Sequence, residues 1–397
     1  MPEPTNFRRV GAVEPINSTT RQTAETGPPD SRKAALALNE SAIARKLRGT
    51  VEALCKLDRR TMSLDGSAAT HDFLFQRVKA AGLEVDNYPN KYDFPLEEAL
   101  AEVEREIESW KEINEMVLEQ NPEELEQRLE GVNFFVKATP IRNIRARIGD
   151  PNGRKIILGA HYDTDIFLQA GAGADDNASG VAVLLELASK MKAYEKAFKD
   201  AGICLEFAFF AAEEMPFGAL GSQKYVNALK LDSGIDRVKM MINLDMLGFF
   251  KDEQELTLCP DYVFKGDERK RIKRLLEHRL PRFENYYLVT SDEAAEGKLG
   301  KRLTGDINKA GLVAREVGPK FLRISEADSD YFNFERGDSD EKSFWGFNFP
   351  VMRIGDNINR SPHFHRPTDL PETLNYERMA KLTQTLEKFL LEQGLKK

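Results

Sequence analysis

The sequence has few cysteines, no long apolar run and only a small excess of charge, and each scarcity excludes a class of protein. Three cysteines in 397 residues are too few and too scattered for a disulfide framework or a cysteine-based zinc site. No apolar run reaches the ~18 residues that a membrane-spanning helix needs. A formal charge of −8 argues against a protein that binds duplex nucleic acid, because such binding requires a basic surface.

The N-terminal segment also lacks the apolar core of a secretory signal, so we expect a cytoplasmic protein. Residues 1–33 are rich in Pro, Thr, Ser and charged side chains, and they bury too little apolar surface to offset the entropy of ordering. We therefore predict a disordered tail over 1–33. Hydrophobic residues make up 41% of the chain, so residues 34–397 can form one large domain with a sizeable core.

Two helical patterns follow the tail, with apolar positions at three- and four-residue steps over 36–54 and 68–80. A longer pair of helical patterns over 93–131 is strongly acidic on its polar faces. This pair predicts a solvated, acidic helical hairpin inserted into the domain. The alternative is a lid or a dimer contact, and the oligomeric state is left open.

From residue 144 onward, short apolar runs alternate with helical patterns. The runs lie at 155–158, 205–210, 240–244 and 349–354, and helical periodicity occupies 180–188, 223–229 and 376–391. Strands that alternate with helices are typical of an α/β protein whose sheet carries helices on both faces. We predict a three-layer α/β/α fold with a mostly parallel mixed sheet.

Acidic and histidine residues follow these apolar runs, at the points where the predicted strands end. His161 and Asp163 follow the first run, Glu213 and Glu214 follow the second, and Asp245 follows the third. Open parallel sheets bind ligands outside the carboxyl ends of their strands. We therefore expect these side chains to meet at one edge of the sheet.

Two loops add further candidates to the same edge. The crossover after the first strand carries Asp175 and Asp176 before a helix start, and the segment after the last strand carries His363 and His365. Each cluster alone has an ordinary explanation, because an Asp before a helix usually caps it and a Glu pair is usually solvated. Their coincidence at one sheet edge favours a binding site.

Imidazole nitrogens and carboxylate oxygens without sulfur form a donor set that suits Zn²⁺, with Co²⁺ or Mn²⁺ as alternatives. Two imidazoles and three carboxylates carry a net charge of about −3, which suits two divalent ions that share a bridging carboxylate. Glu213 lies next to a candidate ligand in the sequence. It is therefore placed to act as a general base on a metal-activated water.

Five ordered motifs can be compared with known families: His161-Tyr162-Asp163, the loop 173–180, Ala212-Glu213-Glu214 with the turn 218–222, Leu244-Asp245-Met246, and the segment 365–369. Together they resemble the zinc-dependent aminopeptidases of metallopeptidase family 28, the bacterial leucyl aminopeptidase type with a co-catalytic zinc pair. The resemblance covers residues 36–92 and 140–392. It implies a zinc-peptidase-like α/β fold in which 34–397 is the metallopeptidase catalytic domain.

The resemblance also implies a ligand for each position around two zinc ions. Asp176 would bridge both ions. His161 and Asp245 would complete one ion, and Glu214 and His365 would complete the other. The family pattern favours Asp176 over Asp175 and His365 over His363.

The implied reaction is removal of the N-terminal residue from peptides with a free amino terminus. A hydroxide bridging the zinc ions would attack the scissile carbonyl, with Glu213 as general base and then general acid. Asp163 would hydrogen-bond the far nitrogen of His161 and fix its tautomer. A peptide substrate is therefore the expected partner, and neither nucleic acid nor a membrane is expected.

The chain departs from the family pattern in two places. The acidic segment 93–131 lies outside the family core, and the tripeptide 329–331, Ser-Asp-Tyr, stands where the family often has Ser-Asp-His. The insert 337–349 carries aromatic residues at 344, 345 and 347, which either line a side-chain pocket or pack on the core. Substrate preference therefore stays open.

Three other functions fit parts of the pattern. A glutaminyl cyclase shares the fold and most ligands but works with one zinc. A carboxypeptidase or amidohydrolase on the same scaffold would use the same metals on another bond. A non-catalytic, receptor-like module would be expected to have lost a metal ligand or the general base. Here all five predicted ligands and Glu213 are present.

Overall fold

A computed structural model describes residues 41–57, 64–89, 142–164, 172–214, 218–250, 286–317, 339–356 and 361–395. All of them belong to the unit Glu40–Lys397. The predicted tail 1–33, the predicted acidic hairpin 93–131 and the tripeptide 329–331 lie outside the described residues. The domain boundary at residue 34 stays a prediction.

The described residues include eight α-helices and eight strands. The helices are α1 Ala42–Cys55, α2 Leu64–Ala80, α3 Gly180–Met191, α4 Glu195–Asp200, α5 Leu220–Leu231, α6 Asp292–Glu296, α7 Leu299–Lys309 and α8 Tyr376–Leu395. The strands are β1 Glu84–Asn87, β2 Ile144–Gly149, β3 Arg154–His161, β4 Ile203–Phe210, β5 Val238–Asp245, β6 Tyr286–Thr290, β7 Ala314–Val317 and β8 Val351–Gly355.

The eight strands form one mixed sheet in the order β1-β2-β4-β3-β5-β8-β6-β7. Its centre is parallel, because β4, β3, β5 and β8 run in the same direction. Antiparallel pairing occurs between β1 and β2, between β2 and β4, and between β6 and β8. All four strands predicted from the apolar runs are therefore neighbours at the centre, and their carboxyl ends share one edge.

Side chains of the central strands alternate between two apolar cores, one on each face of the sheet. On β3, Ile156 and Leu158 pack into a core with helices α1, α3, α7 and α8, whereas Ile157 packs into a second core with α5. This alternation follows from the two-residue period of a strand. The predicted three-layer α/β/α arrangement is confirmed.

Helix α1 shows how local sequence sets an element's start. The side chain of Ser41 accepts a hydrogen bond from the backbone N–H of Ala44 at 3.2 Å, which caps the first turn. Leu47, Val51 and Leu54 then form the buried stripe. The predicted pattern began at residue 36, whereas the described helix begins at Ala42.

Strands β2, β6 and β7 were not predicted. Strand β2 alternates apolar with polar residues over six positions, and β7 has only four residues with two adjacent charges, so no continuous apolar run marks either strand. Among the described residues, no helix is both long enough and apolar enough to cross a membrane.

Candidate metal centre

The parallel centre of the sheet brings the predicted ligands to one edge. His161 is the last residue of β3 and Asp245 is the last residue of β5, and these strands are adjacent. On the other side of β3, His161 pairs with Phe210, the last residue of β4, and Glu213 and Glu214 follow shortly after. Strand pairing alone therefore places three of the predicted clusters side by side.

Asp176 lies between the two histidines. One carboxylate oxygen, Oδ1, is 3.3 Å from His161 Nε2, and the other, Oδ2, is 3.1 Å from His365 Nε2. Asp245 Oδ1 lies 3.6 Å from His161 Nε2, and Glu214 Oε2 lies 3.3 Å from His365 Nε2. The five predicted ligands thus form two groups of three that share Asp176.

The donor atoms of each group fit a metal ion. The groups are His161 with Asp176 and Asp245, and Asp176 with Glu214 and His365, and within each group the donor atoms lie within 4.8 Å of one another. Asp245 Oδ1 is buried and has no hydrogen-bond partner among the described residues, which is costly unless a cation binds there. Nitrogen and oxygen donors without sulfur suit zinc.

The loop at 174–179 directs its two aspartates to different tasks. Asp175 Oδ1 accepts hydrogen bonds from the backbone N–H groups of Gly248 at 2.7 Å and Phe249 at 3.2 Å. Its neighbour Asp176 points to the histidines instead. The structure therefore places Asp176, and not Asp175, in the cluster.

The C-terminal loop separates its two histidines in the same way. His363 Nδ1 lies 3.0 Å from the hydroxyl of Thr368, and the ring packs edge-on against Phe249. His365 instead reaches Asp176 and Glu214. The structure therefore places His365 in the cluster.

Asp163 is buried beside the cluster, but it makes a different contact from the predicted one. Its nearest oxygen is 3.8 Å from His161 Nδ1, which is longer than a hydrogen bond. The carboxylate instead accepts the backbone N–H groups of Glu213 at 3.2 Å and Glu214 at 3.1 Å. Asp163 therefore fixes the segment that carries the predicted base and a predicted ligand.

Three of the six described non-glycine residues with a positive φ angle lie at the same edge of the sheet. Ala212, Met246 and His365 have φ angles of 56°, 57° and 51°, a left-handed conformation that residues other than glycine rarely adopt. Ala212 precedes the Glu pair and Met246 follows Asp245. Such strain persists only where the surrounding structure holds it, and it is typical of functional sites.

The buried carboxylates and histidines shift one another's protonation. Burial alone would lower the pKa of His161, but Glu213 and three nearby aspartates raise it well above the ordinary value. Burial alone would raise the pKa of Asp176, but hydrogen bonds from His161 and His365 hold it well below the ordinary range. A metal that binds His161 must therefore displace a proton that the raised pKa of His161 favours.

Glu213 lies at the edge of the first group, with Oε2 3.9 Å from His161 Nε2. Burial raises its pKa well above the ordinary value. The charge of His161 opposes this shift, and the charges of Glu214, Asp340 and Asp245 add to it. A carboxyl with a raised pKa can both accept and return a proton near neutral pH.

Sequence reasoning missed four residues of the site. Asp340 and Glu341 are fully buried, Arg353 is buried on β8, and Asp369 accepts hydrogen bonds from the loop that carries Asp176. Burial raises the pKa of Asp340 to about 8, against the opposing effect of His161. For Asp340, the sequence did contain a signal: a second Ser-Asp pair at 339–340, ten residues after the Ser-Asp of the tripeptide 329–331.

The sequence also matches a known family. A family model described as Peptidase family M28 matches residues 143–390, more than half of the chain. The chain belongs to this family. The predicted family, and with it the class of zinc metallopeptidases, is confirmed.

Two curated proteins illustrate the relationship of this M28 peptidase to others. The uncharacterised protein YfbL of Escherichia coli strain K12 is 28% identical over 255 residues, which are 61% of this chain and 68% of that protein. A probable leucine aminopeptidase of Trichophyton verrucosum is 27% identical over 262 residues, which are 64% of this chain and 57% of that protein. The match thus spans little more than half of the fungal relative's length.

Solved structures resemble this M28 peptidase over most of its length. The LapA aminopeptidase of Legionella pneumophila has a TM-score of 0.57 at 15% identity, covering 92% of this chain and 75% of that chain. A glutaminyl cyclase of Porphyromonas gingivalis has a TM-score of 0.52 at 16% identity, covering 89% of this chain and 100% of that chain. At these identities the likeness establishes the α/β fold alone.

Proposed function

We propose that this M28 peptidase is an aminopeptidase that removes the N-terminal residue from peptides with a free amino terminus, and that it holds two zinc ions per chain. The observation that carries the proposal is the position of Asp176, with one oxygen on His161 and the other on His365. A carboxylate shared in this way is suited to bridging two ions. Co²⁺ or Mn²⁺ would fit the same donors.

Each ion would have its own set of residues. His161 and Asp245 would complete one ion, and Glu214 and His365 would complete the other, with Asp176 common to both. When bound, two zinc ions supply an activated water and polarise the scissile carbonyl. The remaining chemistry belongs to side chains of this chain.

Glu213 is the proposed general base and acid. Its carboxylate lies beside the cluster, and its backbone N–H is held by Asp163 at 3.2 Å. Burial and neighbouring carboxylates raise the pKa of Glu213, and bound cations would oppose that shift. Glu213 would therefore take a proton from the attacking water and return it to the leaving amine.

The charge of the site favours a substrate with a free amino group. Two bound divalent ions would favour the ionised forms of Glu213 and Asp340, whose pKa values are raised without them. The described carboxylates at or near the cluster then carry more negative charge than the two ions and Arg353 carry positive charge; they are Asp163, Asp176, Glu213, Glu214, Asp245, Asp340 and Glu341. An α-ammonium group is attracted to this negative surplus, whereas a free α-carboxylate is repelled. This argument favours an aminopeptidase over a carboxypeptidase.

A panel of substrates with and without a chelator tests the proposal. The panel contains aminoacyl-anilides, an N-blocked control and a peptide with N-terminal Gln. We expect zinc-dependent release of unblocked N-terminal residues. Hydrolysis of the blocked control would indicate an amidohydrolase, and pyroglutamate formation would indicate a glutaminyl cyclase, the candidate that the Porphyromonas structure raises. Failure to bind zinc or turn over any substrate would favour a receptor-like module.

Replacement of the proposed base is the sharper test of mechanism. Glu213→Gln should keep both zinc ions and lose nearly all turnover, because it removes the proton acceptor and leaves the predicted ligands intact. Glu372→Gln makes the same chemical change at an exposed position and serves as the matched control. Turnover of the Glu213 variant at the parental rate would show that another group is the base.

A further inference from the structure

A buried ion pair lies directly behind one of the proposed zinc ligands. Arg353 pairs with Asn243 across β8 and β5, so it lies on the same face as Asp245, two residues further along β5. Arg353 Nη1 is 3.5 Å from Asp245 Oδ2, and Arg353 Nε is 3.5 Å from Glu341 Oε1. The arginine therefore connects a proposed ligand to a second carboxylate.

Glu341 is itself fixed from another direction. It is fully buried, and its Oε2 accepts a hydrogen bond of 2.9 Å from the side-chain amide of Asn243. The same amide also donates to the hydroxyl of Ser339 at 3.0 Å. Strand β5 and the segment at 339–341 thus hold Glu341 in place beside Arg353.

Stability is a weak reason for such a pair, because apolar residues of similar volume are often as stabilising as a buried ion pair. Its position suggests a different reason. Asp245 Oδ2 faces the arginine, while Oδ1 faces His161 Nε2 at 3.6 Å and has no hydrogen-bond partner in the described part of the chain. The two oxygens of one carboxylate therefore have separate environments.

We propose that Arg353, clamped by Glu341, is a positioning residue that holds Asp245 so that only Oδ1 coordinates the metal. The inference rests on the proposed function, because it takes the cluster to bind zinc. Arg353 orients Asp245 by binding its second oxygen. Carboxylates and backbone carbonyls orient histidine ligands in a similar way, by binding the ring nitrogen that does not coordinate the metal. Arg353 does not itself touch substrate.

Positioning and simple electrostatics predict opposite results when Arg353 is removed. A cation next to Asp245 repels a divalent ion, so on charge alone its loss tightens zinc binding. If Arg353 positions the ligand, its loss weakens zinc binding, because Asp245 Oδ1 is no longer held toward the ion and can rotate away from it. The sign of the change in zinc affinity therefore decides between the two.

The test is a zinc titration of the zinc-free full-length protein in competition with a chromophoric chelator. The variants are Arg353→Met, Arg353→Lys and the double replacement Glu341→Leu with Arg353→Met. We expect the site of His161 and Asp245 to bind zinc ~10–100-fold more weakly in the Met variants and the other site to change by less than ~3-fold. Arg353→Lys keeps one hydrogen-bond donor, so its zinc affinity should lie between that of the Met variants and that of the parent.

The double variant limits the risk of misfolding, because it removes Glu341 together with the arginine that neutralises it, while Asp245 keeps its contact with His161. Without zinc, the melting temperature of the double variant should stay close to the parental value, whereas its zinc affinity should fall. Zinc binding as tight as the parent's, or tighter, in a folded double variant overturns the positioning role. A parent that binds no zinc overturns the proposed function itself, so the two failures are distinguishable.

Discussion

Replacement of Asp369 by Asn tests whether the proposed bridging ligand is held by the loop that carries His365. Asp369 is buried, and its two carboxylate oxygens accept the backbone N–H groups of Asp175 at 2.8 Å and Asp176 at 3.1 Å. Hydrogen bonds to a charged acceptor contribute ~1.5–3 kcal/mol each. An Asn side chain keeps one oxygen for one amide and turns its NH₂ toward the other.

We expect the free energy of unfolding to fall by ~2–3 kcal/mol, because one charge-assisted hydrogen bond is lost and a buried donor is left unpaired. A small gain offsets part of this loss. Burial first, and then the charge of Asp369, raise the pKa of Asp175, so a neutral side chain at 369 relieves some repulsion. A shifted Asp176 should also lower kcat by ~10–100-fold.

Urea denaturation of the zinc-free protein measures the first effect, and steady-state hydrolysis by the zinc-loaded protein measures the second. Glu372→Gln removes the same charge three residues away at an exposed position, and its effect should stay within ~0.5 kcal/mol. If Asp369→Asn matches this control in both stability and kcat, the reasoning about the loop is refuted.

The remaining predictions concern protons, zinc and strain. The raised pKa of His161 means that zinc must displace a proton near neutral pH, so zinc affinity should rise with pH, and calorimetry in buffers of different ionisation enthalpy should detect the proton. In the zinc-free protein, protonated His161 adds to the free energy of unfolding at pH values below its unfolded pKa of ~6.5. That contribution is lost as the pH rises through the pKa of His161 in the folded protein. A chelator should abolish hydrolysis and added zinc should restore it; activity in zinc-free protein would contradict metal dependence. Lys298→Gly, at an exposed position with φ 57°, should raise the free energy of unfolding by ~1 kcal/mol with unchanged kcat, and a loss of stability would contradict the strain assigned there.

The central strands and the clustering of their terminal residues were predictable from sequence because they follow from local patterns. Continuous apolar runs mark buried parallel strands, and parallel strands present their carboxyl ends at one edge. His161, the Glu pair and Asp245 could be grouped on that basis alone. The choice of Asp176 and His365 within their loops needed the family resemblance, and their ligand roles stay predictions.

Other features could not be predicted, because they depend on side chains that bind backbone distant in sequence. Asp163 looked like a partner for His161, yet it accepts amide protons from Glu213 and Glu214. Asp369 does the same for the loop of Asp176. Such contacts have no periodicity and no fixed spacing, so only coordinates reveal them.

The anchoring of backbone amides by Asp163 and Asp175 has a consequence for where this chain can vary. Asp163 stands just before the segment 165–171, and the Glu pair that it holds stands just before 215–217. Gly248 and Phe249, bound by Asp175, stand just before 251–285. Buried carboxylates therefore hold the Glu pair and residues 248–249 immediately before those segments. Sequence changes confined to 165–171, 215–217 or 251–285 therefore replace none of the groups that anchor these backbone amides.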